Sequence, residues 1–137
     1  MIKGVKKIAL PKIQDPRGNL SFFENVHQIP FDIKRTYWIY DVPEGKTRGG
    51  HAFKESCEFI VALSGSFDIV LSDGNKEVIY PMNKPCRGLY VPNLIWRRLE
   101  NFSTNSLSLV VSSIPYNEND YIKDFDVFKK TKDGFQK

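Results

Sequence analysis

Few side chains in this sequence are of a type that titrates near neutral pH. There are two histidines, His27 and His51, and two cysteines, Cys57 and Cys86. His51 lies in the run Arg48-Gly49-Gly50-His51-Ala52-Phe53-Lys54, separated from Gly45 by five residues, with Glu58 and Gly65 following. A histidine titrates close to physiological pH and can serve as a base. In a strand, residues i and i+2 point to the same side, so His51 and Phe53 share a face. A carboxylate on the next strand would face the same interior. An imidazole and a carboxylate so placed suit metal ligation or acid–base work. Arg97 can do neither, because a guanidinium is permanently cationic and has no free lone pair. It either holds an anionic ligand or pairs with Glu58 or Glu100. His27, between Val26 and Gln28, reads as a surface residue. The cysteines have no metal-ligand spacing and read as free core thiols.

These residues need a scaffold, and the pattern around them supplies one. Short apolar or aromatic runs alternate with turn signals at Asp15-Pro16-Arg17-Gly18, Pro43-Glu44-Gly45 and Ser72-Asp73-Gly74-Asn75. The last is a hairpin signal, since Asp-Gly supplies the positive φ of a tight turn. Strands are expected over Leu20–Glu24, Ile33–Tyr40, His51–Phe53, Glu58–Ser64, Ser66–Ser72, Lys76–Pro81, Gly88–Val91, Ile95–Asn101 and Ser106–Ser112. Runs spaced this way mark an all-β sandwich or barrel. Tyr121, Ile122, Phe125 and Phe128 fall near helical spacing, so Asp120–Lys129 is expected to form a short amphipathic helix or turn.

Composition narrows the function classes. The 137 residues suffice for one domain, 1–137, and 41% hydrophobic with 26% charged residues is ordinary for a soluble protein. The net charge of +4 suggests an anionic ligand, though much of the excess sits at the two ends. No basic stripe interleaves with aromatics, so nucleic acid is not expected. No apolar stretch reaches the roughly 20 residues of a membrane span, and the first residues lack a signal-peptide core. A reducing cytoplasm is the expected compartment.

Two resemblances follow from the motifs. Gly45…His51-x-Phe53…Glu58…Gly65 is similar to the first cupin motif, G-x5-H-x-H-x4-E-x6-G, with Phe53 replacing the second histidine. Gly88-Leu89-Tyr90-Val91-Pro92 followed by Trp96-Arg97 and Asn101 resembles the second, with Arg97 replacing its histidine. Asp15–Leu20, Ile29–Tyr37, Arg48–Lys54, Gly88–Pro92 and Tyr116–Asp126 together resemble the dTDP-4-keto-6-deoxyglucose 3,4-ketoisomerases, the WxcM-like or FdtA/QdtA-type proteins. That likeness spans nearly the whole chain, in order. It implies a cupin-type double-stranded β-helix, a jelly roll, with a short C-terminal helical segment.

The resemblance also implies an activity. A base removes the C3 proton of a nucleotide-linked 4-keto-6-deoxyhexose, an enediol forms, and a proton returns at C4, as in deoxysugar and polysaccharide biosynthesis. His51 is the candidate base, with Tyr37 and Arg48 as donors to the enediolate. Arg17, Arg35 and Arg48 are candidates for the diphosphate, because guanidinium forks match phosphate oxygens. Glu58, Tyr90, Trp96 and Arg97 are further substrate-binding candidates. No metal and no cofactor is expected, since two of four ligand positions hold Phe53 and Arg97. The partner is a dTDP-sugar, and the assembly a homodimer exchanging N-terminal strands. The competing reading is a binding relative that keeps the nucleotide-sugar pocket without the proton relay, suggested by the same two replacements.

Overall fold

The computed structural model describes residues 1–135. Twelve strands run in order: β1 Lys6–Ala9, β2 Lys12–Ile13, β3 Leu20–Ser21, β4 Arg35–Tyr40, β5 Arg48–Phe53, β6 Glu58–Ser64, β7 Phe67–Ser72, β8 Glu77–Met82, β9 Arg87–Val91, β10 Trp96–Glu100, β11 Leu107–Ser112 and β12 Tyr121–Ile122. A helix, α1 Phe125–Phe135, follows. Two five-stranded sheets face each other, in the orders β1-β9-β6-β11-β4 and β12-β5-β10-β7-β8, and β2 pairs with β3 alone. This is the expected all-β cupin-type sandwich with a C-terminal helix.

The interior is filled from both sheets by Ile60, Ala62, Phe67, Ile69, Leu71, Leu89, Val91, Leu99 and Val110. A second apolar layer covers the outer face of the first sheet. There Leu10, Ile29 and Phe31 from the leading segment and the loop before β4 pack on Phe59, Val61 and Val111. A third lies on the other flank, where Phe128 of α1 packs with Ala52, Leu94 and Ile122. The Asp-Gly hairpin forms as expected. Gly74 takes φ +97°, and Asp73 Oδ1 accepts the amide hydrogens of Asn75 and Lys76.

Two expectations are corrected. The Leu20–Glu24 run pairs only over Leu20–Ser21, because the chain then turns to cover the first sheet. Tyr121 and Ile122 are strand rather than helix, paired with Phe53 and Ala52 of β5. The cause is Asp120: its carboxylate accepts from the amides of Glu55 and Ser56 and ties this segment to the end of β5. The helix begins only at Phe125. Within this chain β1 pairs antiparallel to β9, with Ile2 and Val5 buried in the core.

Candidate active site

One end of the sandwich interior is open. A cavity of about 410 Å³ lies between β4, β6 and β11 of one sheet and β5, β10 and β12 of the other. The inward positions of β4 bring Arg35, Tyr37 and Ile39 to it, β5 brings Arg48 and His51, β6 brings Glu58, and β10 brings Arg97.

The glycines of Arg48-Gly49-Gly50-His51 explain how β5 presents two side chains three residues apart. On a plain strand Arg48 and His51 would face opposite sides. Here Arg97 pairs with His51 while the next residue, Arg98, pairs with Gly49, so Gly50 is an extra residue in a β-bulge. The bulge shifts the alternation by one and turns both side chains inward. Gly49 and Gly50 have φ of +98° and +82°. A Cβ on Gly49 would lie 3.0 Å from Arg98 Cα and 3.1 Å from the Arg97 carbonyl oxygen, so glycine is required there.

His51 packs edge-on to Phe53, with ring centroids 4.9 Å apart, and 5.0 Å from Tyr121. Its Nε2 is buried without a hydrogen-bond partner among the described residues. Burial, and then the positive charges of Arg97, Lys123 and Arg35, push its pKa down to about 3. The imidazole is therefore neutral at physiological pH, the form that can accept a proton.

Opposite His51 lies a sealed ionic network. Arg97 is 1% exposed and Glu58 0%. Arg97 Nη1 donates to Glu58 Oε1 at 2.7 Å, while Tyr37 Oη (2.7 Å) and Ser112 Oγ (2.9 Å) donate to Oε2. The Arg97 guanidinium lies 4.9 Å from the Phe53 ring centroid, a cation–π contact that shares the charge with that face. Burial, then the neighbouring Glu58 charge, holds the Tyr37 phenol well above its ordinary pKa. Arg35 is fixed by three tyrosines. It stacks 4.5 Å from Tyr37 and 4.9 Å from Tyr116, and its Nη1 donates to Tyr121 Oη at 3.2 Å.

Of the expected site residues, His51, Tyr37, Arg48, Arg35, Glu58 and Arg97 line this cavity. Glu58 is held in the wall network, with one donor on Oε1 and two on Oε2. Arg97 likewise pairs with Glu58, leaving only its Nε without a partner among the described residues. Tyr90 lies outside the sandwich near Phe31 at 6.1 Å, away from this chain's cavity, its phenol pushed up by burial and a hydrogen bond with Cys57. Trp96 is on the other outer flank, against Phe125 and Phe128. Arg17 stands in the β2–β3 turn, its side chain 91% exposed and held by Asp15, away from this chain's cavity. Tyr121 also lines the cavity, brought there by the pairing of β12 with β5, which the helical spacing of its segment does not reveal.

The cupin positions raise the question of a metal. The four positions hold His51, Phe53, Glu58 and Arg97, and a guanidinium sits 2.7 Å from the only carboxylate. A cation cannot share that carboxylate with Arg97 without displacing it, so this donor set does not fit a metal ion.

The cavity, its imidazole and its arginines define a cupin-fold site for an anionic, proton-exchanging substrate. Residues 3–133 match the family described as FdtA: WxcM-like, C-terminal, and the chain belongs to that family. It is 40% identical over 125 residues to the TDP-4-oxo-6-deoxy-alpha-D-glucose-3,4-oxoisomerase of Aneurinibacillus thermoaerophilus, covering 91% of this chain and 90% of the relative. The fold is similar to a mutant of the 3,4-ketoisomerase QdtA from Thermoanaerobacterium thermosaccharolyticum, solved in complex with TDP-4-keto-6-deoxyglucose. There the TM-score is 0.95 at 35% identity, over 98% of this chain and 97% of that one. It is also similar to the WlaRB TDP-quinovose 3,4-ketoisomerase of Campylobacter jejuni, with a TM-score of 0.90 at 39% identity, over 94% and 99% of the two chains.

Proposed function

We propose that this protein is a sugar-nucleotide 3,4-ketoisomerase acting on a TDP-linked 4-keto-6-deoxyhexose in deoxysugar biosynthesis. The observation that carries this reading is a neutral imidazole in a cavity whose other walls carry guanidinium groups. The C4 carbonyl acidifies the C3 hydrogen. His51 takes that proton, leaving an enediolate across C3 and C4. The C3 hydroxyl then gives up its proton, O4 gains one, and carbon protonation at C4 completes the shift. No net oxidation occurs, and no group outside the chain and the sugar is consumed.

Electrostatics sets the timing. A base that the surrounding protein holds at about 3 is a weak acceptor. The diphosphate brings negative charge beside Arg35 and Arg48, opposing the positive field that depresses His51. Substrate binding therefore raises the basicity of His51 when a base is needed, and guanidinium cations already in place receive the enediolate charge. The binding-only alternative is not favoured: the cavity keeps the imidazole, and the relatives similar over most of the chain are isomerases by name.

The same reading covers the finer points. Residues 1–137 act as one cupin domain and need no cofactor. The assembly is a homodimer, supported by Trp38 and Tyr40, 57% and 61% exposed on the edge strand β4. Strand exchange would place the leading segment of a second copy in the seat that β1 occupies beside β9. A cytoplasmic location fits the two free cysteines, and no described helix is long and apolar enough to cross a membrane. The test is turnover of TDP-4-keto-6-deoxyglucose followed by 13C NMR. The ketone signal should move from C4 to C3; a substrate left unchanged by the protein would overturn the reading.

A further inference from the structure

Glu58 is the one carboxylate in the cavity wall, and the reaction scheme does not use it. Its surroundings give it a specific task. Oε1 is taken by Arg97 and Oε2 by Ser112 and Tyr37. A phenol has a single hydrogen, and that of Tyr37 points at Glu58 over 2.7 Å. Toward the cavity the Tyr37 oxygen can then offer only lone pairs. We propose that Glu58 is a positioning residue, which by holding the Tyr37 hydrogen makes the Tyr37 oxygen an acceptor for a sugar hydroxyl at the reacting carbons.

This inference rests on the ketoisomerase reading. There the C3 hydroxyl becomes the new carbonyl, so its O–H bond must weaken as the enediolate forms. An acceptor on that hydroxyl binds the transition state more tightly than the ground state, and so acts on kcat rather than KM. It also reverses the donor role that the sequence suggests for Tyr37. The ionic partner serves the same end: Arg97 is locked by Glu58 and by the carbonyls of Pro92 and Ile95, at 3.4 Å each, and so keeps the carboxylate from turning.

A double-mutant cycle on kcat separates this from a purely structural role. Glu58→Gln offers Tyr37 an amide that can donate, which frees the phenol hydrogen to turn into the cavity. Glu58→Gln and Tyr37→Phe should each lower kcat by about 10- to 100-fold, the range of a charge-assisted hydrogen bond, with KM little changed. The double variant should be no slower than the slower single one. Additive losses, or full kcat in either single variant, would overturn the proposal. Glu58→Gln leaves a buried guanidinium unpaired and can fail to fold, so a second measurement uses the wild type. A downfield hydroxyl proton resonance, absent in Tyr37→Phe, should persist when TDP-glucose, which has no keto group, fills the site. Its loss on binding would show the hydrogen leaving Glu58 for the ligand and would refute the role. If the wild type turns over no keto-sugar, the ketoisomerase reading falls by itself, and the resonance still decides what Glu58 does to Tyr37.

Discussion

The closed end of the cavity and its mouth treat charge in opposite ways. At the closed end Arg97 and Glu58 are out of reach of water, and every oxygen of the carboxylate is bonded. At the mouth Arg48 is exposed and makes no ion pair among the described residues. In the first arrangement nearly every polar atom is already committed to a neighbour, so its charge orients and shapes. The second costs little to leave open and is available to an anion. Charges in one cavity thus do different work, and burial tells which.

Removing a charge at each end should expose the contrast. The largest effect is expected from Arg97→Met, which strands the Glu58 carboxylate in a dry wall. Breaking one side of a buried ion pair costs about 3–5 kcal/mol. Urea unfolding should show that loss, and a change below about 1 kcal/mol would mean that water reaches the pair.

His51 stands between the ends, and its charge state gives a second test. The folded protein keeps it neutral down to about pH 3, whereas in the unfolded chain it binds a proton below about pH 6.5. Between those values the unfolded state holds more protons, so stability contributed by neutral His51 is complete above pH 6.5 and is lost as pH falls toward 3. Unfolding curves at pH 7 and at acid pH should therefore diverge less in His51→Asn than in the wild type. The acid limb of kcat/KM should lie well below pH 6.5, and that of kcat should lie higher, because bound diphosphate opposes the field of the arginines. Limbs that coincide near pH 6.5 would show that His51 is not depressed at all.

The smallest effect belongs to the mouth. Arg48→Ala should weaken TDP binding about tenfold at low ionic strength, the low end for hydrogen bonds to charged groups. The difference should shrink as salt is added, and folding stability should move by less than about 0.5 kcal/mol. Calorimetry showing no loss would remove Arg48 from the diphosphate site.

The alternation of strands made much of this readable from sequence. β6 has the bounds expected for it, Glu58–Ser64, and places Glu58 in the wall. The same alternation could have excluded two candidates. Leu89 and Val91 point into the core, so Tyr90 between them must point out. Trp96 and Arg97 are neighbours on one strand and cannot both face the cavity. What alternation alone could not supply was the inward turn of both Arg48 and His51, which needs the bulge at Gly50. The Gly49-Gly50 pair was the visible sign of it. Tyr121 was hidden for another reason: the bonds from Asp120 to the amides of Glu55 and Ser56 join segments far apart in the chain, and no local periodicity reports them. The ion pair of Arg97 with Glu58 was one of two pairings open from sequence; Glu100, three residues further on the same strand, faces the other side and pairs with Arg98.

The central claim is that His51 moves the proton that carries the ketone from C4 to C3. Its most direct test is solvent exchange: TDP-4-keto-6-deoxyglucose incubated in D2O with the wild type and with His51→Asn, read by NMR at C3 and C4. The wild type should place deuterium at the reacting carbons as it forms the 3-keto sugar. His51→Asn should bind TDP as the wild type does and lose turnover and exchange by about 10²–10⁴-fold, the usual contribution of a general base. Exchange at the wild-type rate in His51→Asn would contradict the claim and assign the proton to another group of the cavity.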